Sequence, residues 1–318
     1  MLEAIGLFVL GLVLLALGGD SIVKGAAGLA QRFGASPFVA GLVLVAFGTS
    51  LPELAVNLQA VARGQQALAL GNAVGSNVVN FGLTLGLAAM AAPLLVRWRA
   101  LSPLLLVLIA GTLLVIALGL DGVLTRFEGF GLLIVFVAVV AFAAVRTRRE
   151  APELQDAIAA FARTSTDLGL NLLRFAIAAV LLSYGSKLVV GSAPALGAGF
   201  GLTPLLTGLL PVAIGTALPE AAAAIAAARR GQSDLVAGHV IGSSLFNLLV
   251  VVGGMAALDG ALPLPESFVR FELPAAAVFA LMLYPMLRGD LRVSKTEGAA
   301  LLIALLAWVA FELLMLQH

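Results

Sequence analysis

The chain of 318 residues is 61% hydrophobic and only 11% charged, and its mean hydropathy is +1.11. Soluble domains carry about 25% charged residues and disordered chains are poor in apolar ones, so both classes are excluded. The net charge of +1 does not indicate nucleic-acid binding. The absence of cysteine excludes disulfides and thiolate metal sites. We therefore expect an all-α membrane protein whose surface is solvated by the lipid bilayer.

Apolar runs of about 20 residues, the length that crosses a bilayer, recur along the whole chain. They are continuous rather than alternating, which predicts helices and excludes a β-barrel. The longest polar stretch separates a first half at 1–146 from a second half at 168–318, with a linker at 147–167. We predict ten spans, at roughly 3–29, 37–61, 67–93, 101–120, 127–146, 168–191, 203–228, 234–257, 269–287 and 297–315.

The loops between these spans differ strongly in their content of lysine and arginine. Twelve such residues fall on the side of the linker and three on the opposite side. Cytoplasmic loops carry the excess of positive charge, so we expect a cytoplasmic linker and both termini outside the cytoplasm. Five spans in each half then mean that the two halves enter the membrane from opposite sides.

Shifting the chain by 167 residues reveals an internal repeat. Residues 33–80 align with residues 200–247 without a gap, and about 22 of the 48 positions are identical, including rare letters such as Pro, Glu, Gln and Asn. A chance match between two sequences rich in Ala and Leu would favour the common letters instead. The sequence therefore predicts two inverted five-helix repeats, an architecture that places the substrate site at the membrane midplane between them.

Each copy carries one glutamate deep inside a predicted span, in GTSLPE ending at Glu53 and in GTALPE ending at Glu220. A carboxylate at that depth costs at least about 2.5–3.5 kcal/mol, so it marks a functional site. The preceding prolines displace the carbonyls of Gly48 and Gly215, and we expect the helix to open beside each glutamate. Carboxylates, hydroxyls and free carbonyls form an all-oxygen set, which suits Ca²⁺ or Na⁺.

A second motif, GSNVVN, recurs as GSSLFN and places a serine and an asparagine four residues apart, on one helix face. The pairs are Ser76 with Asn80 and Ser243 with Asn247. Their oxygens can complete a cation shell, or their donors can orient the glutamates. Each motif alone is also compatible with simple helix packing, but the duplication of both in inverted register favours a functional site.

Two other polar residues are expected to be less central. His239, one turn before Ser243, stands where the first copy has Asn72, and we expect a donor behind the site rather than a ligand. Glu312 is expected to mark the outer end of the last span.

At these motifs the sequence resembles the Ca²⁺/cation antiporter superfamily, specifically its sodium/calcium exchanger-like branch. The resemblance covers essentially the whole chain, and it implies alternating access by sliding of the first and sixth spans. It implies that Glu53 and Glu220 share the central Ca²⁺, assisted by Thr49 and Thr216. The implied Na⁺ sites comprise Ala46, Thr49, Ser50, Glu53 and Ser76 on the inward side and Ala213, Thr216, Glu220 and Ser243 on the outward side, with Asn80 and Asn247 between them.

Two positions depart from the pattern of that branch. Ala217 stands where the second repeat usually offers a serine hydroxyl, and Asn247 stands where sodium-coupled members often carry an acidic residue. The central charge is then −2, which neutralises one Ca²⁺ or two monovalent ions. A third Na⁺ would be poorly compensated, and protons can compete at the two carboxylates.

The resulting hypothesis is a secondary antiporter in a bacterial inner membrane that exchanges Ca²⁺ for Na⁺, with no resident cofactor and no need to oligomerise. A proton-coupled antiporter on the same scaffold is the near alternative. An intramembrane hydrolase using the paired glutamates is remote, because HExxH and any Ser/His pairing are absent from the sequence. A channel would also use paired carboxylates, but it would not support uphill flux.

Overall fold

The computed structural model describes residues 1–315 except Pro37, Val39, Leu42, residues 45–47 and the side chain of Thr49. The described part is predominantly helical, as expected. Its helices are α1 (Leu2–Arg32), α2 (Leu51–Ala62), α3 (Gln66–Ala91), α4 (Leu101–Asp121), α5 (Arg126–Thr147), α6 (Pro152–Ala162), α7 (Leu168–Gly199), α8 (Pro204–Arg229), α9 (Ser233–Asp259), α10 (Phe268–Arg288) and α11 (Lys295–Met315).

Nine helices in the described part are long and apolar enough to cross a membrane. They correspond to nine of the ten predicted spans. The remaining predicted span, 37–61, includes the residues outside the description, and α2 forms its described end. The count of ten spans therefore stays a prediction.

Four short strands close the two ends of the bundle. They are β1 (Leu94–Leu95), β2 (Val123–Thr125), β3 (Ala261–Pro263) and β4 (Arg292–Val293). β1 pairs with β4 and β2 pairs with β3, both antiparallel. Each pair joins one strand from the first half of the chain to one from the second, so the halves are fastened together at both ends.

The most buried helices are α3 and α9, one from each half. Their most apolar windows are 83% and 94% buried, whereas those of α1 and α7 are 28% buried. Glycines let α3 approach the backbone of α8. A methyl group at Gly71 would collide with the Leu205 carbonyl, and one at Gly208 would collide with the Leu68 carbonyl. The polar residues of α3 and α9 are thereby held at the centre of the molecule.

Equivalent elements recur at the spacing of 167 residues. β1 begins at Leu94 and β3 at Ala261, while β2 ends at Thr125 and β4 begins at Arg292. A π-helical turn starts at Asn80 in α3 and another at Asn247 in α9. π-helical turns are frequent at functional sites, and these two begin at paired residues of the sequence motifs.

The predicted linker contains a helix, α6, that the sequence analysis did not anticipate. Leu154 and Ile158 are buried on it, and the Gln31 side chain of α1 donates to the Ala162 carbonyl at 2.7 Å. The sequence does contain the pattern of a docked helix, with Pro152 in the first turn and apolar residues four apart. The linker is therefore packed against the membrane helices at its end of the bundle.

Candidate cation-binding site

The first glutamate lies at a break in the chain's helical path. A 3₁₀ turn at Gly48–Ser50 precedes α2, and Pro52 lies in the first turn of that helix. Proline is favoured there because the first amides of a helix have no intrahelical acceptor. Glu53 follows at 2% exposure. In this copy the prediction that glycine and proline open the helix beside the carboxylate is confirmed.

In the second copy the same prediction is wrong. Gly215, Pro219 and Glu220 all lie inside α8, and the irregular stretch is a π-helical turn at Gly208–Val212, earlier in the helix. The Thr216 hydroxyl donates towards the Val212 carbonyl at 3.1 Å. Membrane helices tolerate proline where hydroxyls and local π-helical adjustments satisfy the backbone, and α8 contains both.

The two glutamates belong to one electrostatic unit. The charge of Glu220 acts on Glu53, and the Thr216 hydroxyl hydrogen-bonds the Glu53 carboxylate. Within the described part of the chain, no lysine or arginine forms an ion pair with either carboxylate. Oε2 of Glu53 and Oε1 of Glu220 are buried and find no hydrogen-bond partner among the described residues. Buried carboxylates without a cationic partner are costly, so the arrangement suits a cationic substrate.

Ser243 joins the two halves beside these carboxylates. Its Oγ accepts hydrogen bonds from Ser50 Oγ at 2.7 Å and from Asn80 Nδ2 at 3.1 Å. All three side chains are at most 1% exposed. The network leaves Oδ1 of Asn80 without a partner among the described residues, so this oxygen remains available as a ligand.

The corresponding residues of the other copy form no such network. Ser76 corresponds to Ser243, Asn247 to Asn80 and Ala217 to Ser50. Ser76 Oγ and both amide atoms of Asn247 are buried without partners in the described part of the structure. Since Ala217 has no hydroxyl to donate, the two halves of the site differ in hydrogen bonding.

Three of the predicted ligands offer only backbone atoms or fall partly outside the description. Ala46 lies outside the described residues. Thr49 is described for its backbone alone, in the 3₁₀ turn. Ala213 is fully buried and packs with Val79 and Ala217, beside Thr216.

Several polar residues near the site were missed or undervalued in the sequence analysis. Asn72 donates to Asn57 at 2.9 Å, and both amides are buried. His239, expected as a donor behind the site, has Nε2 3.3 Å from Oε2 of Glu220. The position of His239 four residues before Ser243 already indicated the same helix face.

A second pair of acidic residues is also buried. Glu312 is only 4% exposed and Glu272 only 1% exposed. The expectation that Glu312 merely marks the end of a span is therefore wrong. The T-shaped ring contact between Phe271 and Phe311 shows that the two carboxylates belong to adjoining helices. Hydropathy alone does not reveal this, because burial depends on which face of a helix meets its neighbour.

Two cavities beside Glu220 open next to α6. One of about 280 Å³ is lined by Glu220, Thr216 and Phe161, the last from α6. A smaller one of about 100 Å³ is lined by Glu220, His239 and again Phe161. A cavity of about 790 Å³ lies at the opposite end, beside the loop at Gly64–Gln66, and none of its lining residues is a predicted ligand.

Comparison with known proteins identifies the family. The family model "Sodium/calcium exchanger protein" matches residues 3–145 and 151–314. The chain belongs to the sodium/calcium exchanger family. This is a family of transporters rather than enzymes, and the chain is an integral membrane cation/Ca²⁺ antiporter.

Individual relatives cover nearly the whole exchanger. The inner membrane protein YrbG of Escherichia coli is 34% identical, with 98% of each chain covered. The putative antiporter CaxA of Alkalimonas amylolytica is 33% identical, covering 97% of this chain and 98% of CaxA. The solved structure of the sodium-calcium exchanger NCX_Mj, soaked with Na⁺ and Sr²⁺, superposes with a TM-score of 0.67 at 28% identity, with 97% and 98% of the two chains covered.

Proposed function

We propose that this antiporter exchanges Ca²⁺ for Na⁺ at the site formed by Glu53 and Glu220. One observation carries the proposal: buried oxygens from both halves lack hydrogen-bond partners among the described residues. Oxygen ligands of this kind suit hard cations, and a bound cation would satisfy them. They are Oε2 of Glu53, Oε1 of Glu220, Oγ of Ser76 and Oδ1 of Asn80 and Asn247.

The charge of the site supports an electroneutral exchange of two Na⁺ for one Ca²⁺. Glu53 and Glu220 supply −2, and Asn247 adds no charge. A third Na⁺ would leave a positive charge in a low-dielectric interior, where uncompensated charge is costly. We therefore expect a transport rate that does not depend on membrane potential.

Alternating access is supported by the unequal cavities. The proposed ligands Glu220 and Thr216 line a cavity beside α6, while the large cavity at the opposite end includes neither residue. In this state a cation would reach the site from the linker side. Closure of that route and opening of the other would follow from sliding of α1 and α7, which pack against each other through Gly11 and Gly185.

Placement in the membrane is part of the proposal. The excess of Lys and Arg on the linker side predicts that α6 lies in the cytoplasm of a bacterium, with both termini outside it. The family match in two blocks is what a chain of two inverted five-helix repeats would give. Since the chain has no cysteine, single introduced cysteines labelled from one side test this topology without background.

The deciding experiment is ⁴⁵Ca²⁺ uptake into proteoliposomes under a Na⁺ gradient, under a pH gradient, and under neither. We expect uptake with the Na⁺ gradient, and its loss in Glu53→Gln and in Glu220→Gln. Glu266→Gln is the matched control, because Glu266 is exposed and pairs with Arg270 at the surface. Full transport by both site variants would refute the site.

The proton-coupled alternative is favoured by one observation, the unpartnered hydroxyl of Ser76 opposite Ala217. This half of the site lacks the serine that would help to coordinate Na⁺. Uptake driven by the pH gradient alone would keep the fold and the glutamates but assign the counter-ion to H⁺.

A further inference from the structure

The two copies of the repeat differ one helical turn from the glutamates. In the first copy Asn72 donates to Asn57 at 2.9 Å, which forms a closed amide pair. The equivalent positions of the second copy are His239 and Ala224. Ala224 has no polar atom in its side chain, so the amide pair of the first copy has no counterpart here.

His239 instead faces the exchange site. Its Nε2 lies 3.3 Å from Oε2 of Glu220, and the two side chains are 12% and 9% exposed. Both line the same cavity of about 100 Å³ beside Phe161. An imidazole nitrogen and a carboxylate oxygen are therefore adjacent on a nearly dry surface that a cation from the linker side can reach.

We propose that His239 is a specificity-determining residue that extends the cargo of this antiporter from Ca²⁺ to transition-metal ions such as Zn²⁺. The inference rests on the proposed function, because it makes Glu220 a ligand that the two kinds of cation share. Imidazole is a ligand typical of zinc and other first-row metals, whereas Ca²⁺ takes oxygen.

The separation of the two atoms fits a single bridging ion. Nitrogen and oxygen ligands lie about 2.1 Å from Zn²⁺, so two ligands of a tetrahedral ion are about 3.4 Å apart. The observed distance from Nε2 to Oε2 is 3.3 Å. Zn²⁺ would use Glu220 and His239 from the cavity side, while Ca²⁺ would use the oxygens that Glu220 shares with Glu53.

The experiment compares ⁶⁵Zn²⁺ and ⁴⁵Ca²⁺ uptake by tag-free protein in proteoliposomes. His239→Asn removes the nitrogen and restores the residue of the first copy. The double variant A224N/H239N also supplies the missing amide partner and so recreates the Asn57–Asn72 pair. We expect both variants to raise the KM for Zn²⁺ by tenfold or more, on the order of the loss that a weakened metal-site partner causes. The KM for Ca²⁺ should change less than about threefold.

Three outcomes decide the proposal. An equal rise in KM for both ions would overturn it, because His239 would then only position Glu220. A wild-type protein that exchanges Ca²⁺ but neither transports nor binds Zn²⁺ would overturn it as well. If the wild type fails to transport Ca²⁺, the proposed function fails, and Zn²⁺ binding measured by calorimetry on wild type and His239→Asn still decides the role of His239.

Discussion

Replacing Ser243 by alanine tests whether the hydrogen-bond network holds the two halves together. Ser243 Oγ accepts from Ser50 Oγ at 2.7 Å and from Asn80 Nδ2 at 3.1 Å. The three residues come from the turn before α2, from α3 and from α9, so one oxygen connects three segments. Ser243→Ala leaves two buried donors without their acceptor.

The expected cost follows from the two lost bonds. Hydrogen bonds between membrane helices are worth about 0.6 kcal/mol on average and up to about 1.7 kcal/mol. We therefore expect Ser243→Ala to lower the free energy of unfolding by about 1–3 kcal/mol. Ser244→Ala is the matched control. Ser244 is the next residue and is fully buried, but its hydroxyl has no partner among the described residues.

The measurement is reversible unfolding in mixed micelles, with a denaturing detergent as titrant. Na⁺ and Ca²⁺ are replaced by choline, because a bound ion would add its own stabilisation to the folded state. Ser244→Ala should cost less than about 0.5 kcal/mol, since it removes no hydrogen bond. Equal unfolding free energies for the two variants would refute the network as a source of stability.

Three other changes probe neighbouring features. Ala217→Ser should give Ser76 the hydroxyl partner it lacks and lower the KM for Na⁺ at least about threefold if Na⁺ binds there; an unchanged Na⁺ dependence would contradict that half-site. Gly71→Ala should destabilise the protein by about 1–3 kcal/mol, because its methyl group would collide with a carbonyl of α8. Gly131→Ala, with open space around it, should be neutral or stabilising by roughly 0.5–1 kcal/mol, and similar losses in both would exclude the collision. Phe161→Cys should react with a membrane-impermeant thiol reagent added on the linker side, and labelling from the opposite side alone would place the cavity wrongly.

The sequence allowed much of this architecture to be predicted, because duplication marks residues that hydropathy alone does not. The pairing of Glu53 with Glu220 follows from the repeat, and the structure brings their charges together. The contact between Ser50 and Ser243, 193 residues apart, required the fold. Both serines are in the motifs, but a motif does not show which hydroxyl meets which.

The failures have local physical causes. Pro219 was expected to open its helix as Pro52 does, yet the second copy places its irregular turn at Gly208–Val212. A proline removes one donor wherever it lies, but the neighbouring backbone decides whether the helix bends, stops or continues. The linker helix was missed because an apolar face of a few residues is weak evidence beside ten long spans. Its stability comes from docking on α1, which only the packed structure shows.

The most informative differences between the two copies lie where the sequence gave single-letter changes and the structure gave their consequences. Ala217 leaves Ser76 without a partner, and Ala224 leaves His239 to face Glu220 instead of an amide. A pair of identical copies would offer a cation equivalent ligands from both halves. Here one half is braced by the network around Ser243 and the other keeps free donors and acceptors. A ligand shifts a conformational equilibrium only by the difference between its affinities for the two states. Ions that rely on different halves of the site therefore favour different states, which is the physical requirement for exchange of one cation against another.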